Sequence, residues 1–228
     1  MVCGRCTRSR DRGMEAVDIL MLGRREIQVV VGVTAAVGLA ISIAYGGSDP
    51  AATALKVYAY GTSISTFLIL IYEHFIWGLA PIRKLTGKPD LRGTWLGELV
   101  SSYLENGHPI PPIPTILRIT QTASSQHITL FTGESSSTTE QSSLVREGDG
   151  RWRLAWTYSN IPRASVRHRS DCHLGTAEVT FDRSGGLVGA YYTDRLTRGE
   201  LRLPIRSKQL FASVSSAVVE RDTFARPA

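Results

Sequence analysis

Apolar and polar positions follow two different rules along this chain. Up to about residue 89 the apolar residues come in two long runs. From Asp90 onward they alternate with polar ones and are broken at short intervals by Gly, Pro, Asn, Asp or Ser. Ile27 to Tyr45 is 19 residues without a charge. At about 1.5 Å per residue, that is roughly the length needed to cross a 30 Å hydrocarbon core. Gly32, Gly38 and several alanines in it suit close helix packing in lipid. The run is longer than the apolar region of a signal peptide, and no small-residue cleavage site follows it. Gly46-Gly47-Ser48-Asp49-Pro50 reads as a turn. A second apolar run covers Lys56 to Leu79, where Tyr72, Phe75 and Trp77 surround Glu73 and His74 like an interfacial belt. Glu73 is therefore expected at the membrane boundary as a helix-terminal or snorkelling group. The competing reading is an ion path.

The second rule predicts strands at about 92–104, 114–122, 126–134, 137–147, 151–160, 173–183, 186–195 and 198–206. Eight short strands without helical period argue for an all-β barrel or sandwich. The fold class expected is a two-helix transmembrane hairpin followed by an all-β domain, an eight-stranded antiparallel β-barrel. Its parts are an N-terminal segment 1–23, an anchor 24–89 with spans at about 27–45 and 56–79, and a barrel domain 90–228. The polar stretch Ser135–Thr139 reads as an edge or lumen strand. Residues 207–228 carry only a short apolar run, Leu210 to Val219.

Charge changes the picture in one respect. Residues 1–89 hold 10 Lys+Arg against 6 Asp+Glu, and 90–228 hold 16 against 14, which together give the net +6 of the 228-residue chain. Arg24 and Arg25 precede the first span, and Arg83, Lys84 and Lys88 follow the second, whereas the connecting loop has only Lys56. The positive-inside rule then puts both ends in the cytoplasm. Three cysteines (Cys3, Cys6 and Cys172) cannot form a disulfide framework. Cys3-Gly4-Arg5-Cys6 lacks the second pair or histidines a metal site needs.

Parity sorts the barrel interior from its exterior. Trp152, Leu154, Trp156, Tyr158 and Asn160 share a face on the fifth strand. His173, Gly175, Ala177, Val179 and Phe181 share one on the sixth. Leu187, Gly189, Tyr191 and Thr193 share one on the seventh, with Arg195 in phase at its end. Each face is apolar at one end and polar at the other. In an antiparallel meander Tyr158, Asn160, His173, Thr193 and Arg195 therefore meet at one mouth. Arg163, Arg167, His168 and Arg169 lie in the adjoining loop, and Arg198 starts the next strand. Arginine forks match phosphate oxygens, and aromatic rings stack on bases. The mouth thus suits a small anion with aromatic rings. A second reading stays open for each residue: the tyrosines as packing at the barrel end, Arg167 and Arg169 as a solvated face, His173 as a structural hydrogen-bonder.

Over roughly residues 24–206 the chain resembles the bacterial two-transmembrane, β-strand-rich effectors of cyclic-oligonucleotide-based antiphage signalling (CBASS). The resemblance rests on the hairpin anchor followed in order by Leu91-Arg92-Gly93-Thr94-Trp95-Leu96-Gly97, Tyr158-Ser159-Asn160-Ile161-Pro162, His173-Leu174-Gly175-Thr176-Ala177 and Gly189-Ala190-Tyr191-Tyr192-Thr193-Asp194-Arg195-Leu196-Thr197-Arg198-Gly199. It implies an antiviral defence effector in the bacterial inner membrane. Its cytoplasmic barrel would bind a cyclic di- or trinucleotide made by a partner nucleotidyltransferase. Binding would promote self-association, and the membrane segments would then disrupt the bilayer. By position the resemblance implies a ligand role for Tyr158, Asn160, Pro162, Arg163, His173, Tyr191, Thr193, Arg195 and Arg198.

The alternative is a membrane-tethered barrel holding a lipid or other small ligand without harming the membrane. The cationic mouth argues against apolar cargo. No P-loop, nucleophile elbow or metal-ligand spacing is present. Asp171 and His173 stand too close on one loop to read as part of a hydrolase triad. No enzyme activity, cofactor, metal or nucleic-acid polymer is expected. The charge pattern makes one prediction: a cytosolic reporter fused at Ala228 should be active and a periplasmic one silent. The reverse result would overturn the topology.

Overall fold

The protein is described by a computed structural model covering residues 24–45, 50–182 and 184–215. The Cys3–Cys6 pair, the turn residues 46–49 and the end of the Leu210–Val219 run, 216–219, lie outside them. The described chain falls into two units. One takes in the residues up to 90 together with Thr122–Ser125, and the other takes in 91–121 and 126 onward.

The first unit holds two long helices, α1 (Arg24–Tyr45) and α2 (Pro50–His74). Proline at the start of α2 costs nothing there, because its missing N–H would have no partner in the helix. The helices pack on one another. A methyl placed on Gly38 would lie 3.9 Å from Val57 Cγ1, whereas Gly32 faces open space. Large apolar side chains such as Leu39, Ile43, Leu55, Phe67 and Leu70 point outward and are exposed.

One expectation is corrected in this unit. The second helix ends at His74 rather than running to Leu79; a 3₁₀ turn, Ile76–Gly78, and a short helix, α3 (Ala80–Thr86), follow. Pro81 stands in the first turn of α3, where its missing N–H has no helical partner, and its ring bars one continuous helix through 77–81. Of the expected pair of spans, the second is met by length and composition. Among the described residues, Ala54–His74 alone is long and apolar enough to cross a membrane, by length and composition, and Val31–Ala44 is a shorter apolar stretch. Glu73 is helix-terminal, and its carboxylate is captured within the unit. It accepts hydrogen bonds from Ser124 Oγ at 2.6 Å, Ser124 N at 3.0 Å and the Thr122 hydroxyl.

The second unit is a closed barrel. Its strands are β1 (Gly93–Ser101), β4 (Ile113–Gln121), β5 (Gln126–Phe131), β6 (Ser135–Arg146), β7 (Trp152–Pro162), β8 (His173–Phe181), β9 (Leu187–Thr193) and β10 (Arg198–Ser207). Two further strands, β2 (Leu104–Glu105) and β3 (His108–Pro109), form a separate small hairpin. The barrel order is β1-β10-β9-β8-β7-β6-β5-β4, closed by β4 pairing with β1, and every neighbour is antiparallel. The first strand is shorter than expected. Asn106 and Gly107 both have positive φ, the geometry of a two-residue hairpin turn, and they fold the chain back before β4.

The interior parity read from the sequence is the one the barrel adopts. Trp95, Leu117, Ile128, Leu154, Trp156 and Val179 pack into one core, each at most 2% exposed. Burying an aliphatic or aromatic side chain this fully contributes about 1.5–3 kcal/mol. Trp95 Nε1 donates to the Leu91 carbonyl at 3.0 Å, which satisfies its polar atom inside the core. Residues after β10 cover part of the outer wall, where Phe211 packs on Leu96 and Ile116.

Closure has a weak seam. β5 and β6 pair only at Thr129↔Thr138, Leu130↔Ser137 and Phe131↔Ser136. A bulge follows at Glu140, between Thr139 and Gln141. Beyond it, hydroxyls replace main-chain bonds. Thr139 Oγ1 accepts from Ile128 N at 2.8 Å and donates to Ile128 O at 2.7 Å, and Ser142 Oγ donates to Gln126 O at 2.6 Å. Thr139→Val keeps the shape and strands two buried main-chain groups of Ile128. Each unsatisfied group costs about 1–3 kcal/mol. The variant should therefore unfold at distinctly lower urea, followed by tryptophan fluorescence, and an unchanged midpoint would count against the hydroxyl bridge.

Candidate functional site

The polar ends of the inward rows converge at the mouth formed by the ends of β1, β5, β7 and β9 and the starts of β4, β6, β8 and β10. Tyr158 stands opposite Gly175, Asn160 opposite His173 and Ser137, and Gly175 opposite Thr193. Tyr191 stands opposite Gly199. These pairings bring together Tyr158, Asn160, His173 and Thr193, four of the five positions expected from parity, with Tyr191 beside them.

Two glycines decide where the tyrosine rings lie. A Cβ on Gly175 would collide with Tyr158 Cζ and Oη, and one on Gly199 would sit 2.6 Å from Tyr191 Cε1. Each ring therefore lies flat on the bare backbone of the next strand. Glycine within a strand marks such a close approach. Tyr158 is 8% exposed and Tyr191 7%, and both belong to the core cluster. They form a floor over the packed interior. The cavities of about 640 and 260 Å³ lie on outer faces of the barrel, lined chiefly by outward residues such as Leu96 and Val188 in one and Phe131 and Ile161 in the other. A ligand at the mouth would thus rest on this floor rather than descend into the lumen.

Burial shapes the electrostatics here. It pushes the Tyr158 phenol well above its ordinary range; neighbouring Tyr191 and Asp194 add to the rise and Arg195 opposes it. Tyr191 is pushed up by burial too, against a hydrogen bond with Ser101 and the charge of Arg195. Both remain neutral hydroxyls near pH 7. Burial lowers His173, Arg195 lowers it further, and the Asp171 carbonyl and Asp194 oppose the shift. Its Nδ1 lies 3.3 Å from Asp171 O and 3.5 Å from Asn160 Nδ2. Protonated, that nitrogen donates to the carbonyl; bare, it accepts from the amide.

The remaining expected residues are placed differently. β9 ends at Thr193, so Arg195 sits in the turn before β10, and its Nη1 donates to Ser170 Oγ at 3.1 Å. It remains close enough to act on Tyr158, Tyr191 and His173. Pro162 is buried at the end of β7 on the Asn160 parity. Arg163 lines the smaller outer cavity, away from the lumen rows, while its N–H donates to Glu134 O at 2.8 Å. Arg198 pairs with Tyr192 on the outward parity and is exposed. Arg167 Nε donates to Pro162 O at 3.3 Å, and Arg169 pairs with Glu134. These loop arginines form part of the loop's own structure.

Sequence reasoning missed Asp194, Ser101, Ser137, Gly175 and Gly199. Asp194 is a carboxylate among cations, and its Oδ2 accepts from Leu174 N at 3.1 Å. The glycines had a signal, since each interrupts a strand within two residues of a candidate residue. Ser137 lay in the polar stretch read as an edge or lumen strand, and Ser101 had no signal, because a serine at a strand end looks like a turn.

Residues 86–204 match the family model described as Cap15, cyclic dinucleotide receptor domain. CD-NTase-associated protein 15 of Staphylococcus schleiferi is 28% identical over 149 residues, covering 65% of this chain and 79% of that protein.

The lowered histidines give a pH prediction. Burial also lowers His127, helped by Arg118. Below an unfolded value of about 6.5 the unfolded chain takes up protons that the folded His127 and His173 refuse, so stability falls as pH drops. The unfolding temperature should decline from pH 7 to pH 5, and His173→Gln should lessen that decline. An equal decline in the variant would remove His173 as its source.

Proposed function

The chain belongs to the Cap15 family, and on that premise we propose that it is a CBASS effector whose barrel binds a cyclic dinucleotide on the floor of its mouth. A partner nucleotidyltransferase, which synthesises cyclic oligonucleotides, supplies the ligand. The observation that carries this reading is the pair of tyrosine rings seated on glycines, bordered by Asn160, Thr193, His173 and Arg195. Flat rings suit bases, the amide and hydroxyls suit base edges, and Arg195 suits a phosphate. Tyr158, Asn160, His173, Tyr191, Thr193 and Arg195 are the proposed contacts. Pro162 fixes the end of β7, and Arg163 and Arg198 act from the rim. The filled interior disfavours a lipid lodged in the barrel.

The proposed output is at the bacterial inner membrane, with the helical unit as anchor and both termini cytoplasmic. Outward apolar side chains on α1 and α2 support it, since a soluble protein would bury them. Ligand binding promotes self-association, and assembled anchors disrupt the bilayer. A ligand can drive this only by its preference for the assembled state.

Calorimetry on the full chain in detergent, with a panel of cyclic di- and trinucleotides, tests the receptor role. Tyr158→Ala should weaken binding about tenfold or more, since stacking contributes about 1–3 kcal/mol per base. Arg195→Ala should weaken it at low salt and much less at high salt, where charge is screened. The absence of binding to every member by folded protein would refute the receptor reading. Cells making the protein should lose membrane potential only when the ligand is present, and retention of potential would refute the effector output.

A further inference from the structure

The turn that carries Arg195 holds a feature the ligand site does not use. Leu196 is 94% exposed and has φ 61°, a left-handed conformation that branched or bulky side chains avoid. The turn is firmly built: Leu196 N donates to Thr193 O at 3.1 Å, Thr193 N to Thr197 O at 2.9 Å, and the Thr193 and Thr197 hydroxyls lie 2.6 Å apart. A glycine or asparagine would adopt this conformation at little cost, yet a leucine occupies it and projects into solvent between Arg195 and Arg198. Strain kept by an exposed apolar side chain at a functional rim points to an external partner.

The same barrel has a complementary surface. The outer cavity of about 640 Å³ lies over the middle of β1, β10 and β4, where β1 and β10 shift register between Leu96 and Glu98. Leu96 and Ile116 form its buried floor, and Val188 and Ile205, 37% and 40% exposed, line its wall. Two carboxylates, Glu98 and Asp182, border it, Asp182 with its Oδ1 accepting from Ser184 and Gly186; the one arginine among the lining residues, Arg202, is paired with Glu200 and also feels the charge of Glu98. The surface is an apolar recess with an acidic border, and the turn is an apolar knob with basic flanks.

We infer that Leu196 of one copy inserts into the Leu96–Val188–Ile205 recess of a second copy of this chain, with Arg195 and Arg198 facing Glu98 and Asp182. Knob and recess are different surfaces of one barrel, so the contact is heterologous. Each copy offers one of each, and the product is an open chain of barrels rather than a closed dimer. The inference rests on the proposed self-association and names its interface. Because the knob shares a turn with Arg195, a ligand that draws on Arg195 also acts on the knob.

The test uses the full chain reconstituted at one copy per nanodisc, so that helices of different copies cannot meet, with and without 3′,3′-cyclic GMP–AMP. Sedimentation should show wild-type particles forming extended, concentration-dependent assemblies in at least one condition. Leu196→Asp and Val188→Asp should each leave single particles. Mixed together they should form pairs and nothing larger, because one variant keeps only the recess and the other only the knob. Leu196→Gly should abolish assembly while raising the unfolding temperature, as it removes the strain together with the side chain. Assembly of either Asp variant like wild type would overturn the interface, as would mixtures that stay single or grow beyond pairs. Failure of the wild type to assemble in both conditions would overturn it too. Calorimetry on the Leu196→Asp protein reads the receptor function separately, since no proposed ligand contact has been altered.

Discussion

An eight-stranded ladder closed on itself leaves room inside for side chains and little else, and the rest of this barrel follows from that constraint. Inward rows must be filled, so Trp95, Trp156, Leu154 and Val179 occupy the middle. Inward polar groups are tolerable only near an opening, where water or a ligand can satisfy them. Asn160, His173 and Thr193 are therefore confined to the strand ends that share the mouth. The chemistry of the rim is a consequence of how the interior must be filled.

Much of this was legible because strand periodicity is strict. A period of two fixed which residues of the fifth, sixth and seventh barrel strands face inward, and their polar ends then had to meet. Three things were not legible. Arg195 was counted as the end of a strand, whereas the tight turn 193–197 takes it out of the ladder. Arg163 and Arg198 were adjacent in sequence to the mouth but belong to the outer wall, since loop conformation and the outward parity of Arg198 place them. The small hairpin at residues 104–109 went unread, with Leu104 alone taken as the end of the first strand, although Asn106-Gly107 is a strong turn signal. In the helical unit, hydropathy alone ran the second helix on to Leu79. The chain stays apolar through the 3₁₀ turn Ile76–Gly78, so a count of apolar positions does not register where the α-helix ends.

The seam between β5 and β6 and the turn at Leu196 are the two places where local structure departs from the cheapest solution. At the seam, serine and threonine hydroxyls take over bonds that strand pairing would otherwise make. At the turn, a leucine holds a conformation better suited to glycine. Both departures lie in segments whose composition looked unstructured or merely polar: the Ser/Thr stretch at the start of β6 and the Asp194–Arg198 connection. Deviations of this kind are expected where a fold serves something besides its own stability.

The seating of Tyr158 on Gly175 also constrains how such a protein can change over generations. A smaller residue at 158 leaves Gly175 undisturbed, but any side chain at 175 strikes the ring first. Substitutions at the two positions are therefore ordered: the tyrosine must be given up before the glycine can be. Once an alanine or larger residue has settled at 175, regaining the ring requires two changes, the first of which brings no advantage by itself. At Gly199 no such order arises, because an added Cβ would lie 2.0 Å from the main-chain oxygen of Val100 whatever stands at 191. Lineages that change ligand through these strands would find the route easy in one direction and nearly closed in the other.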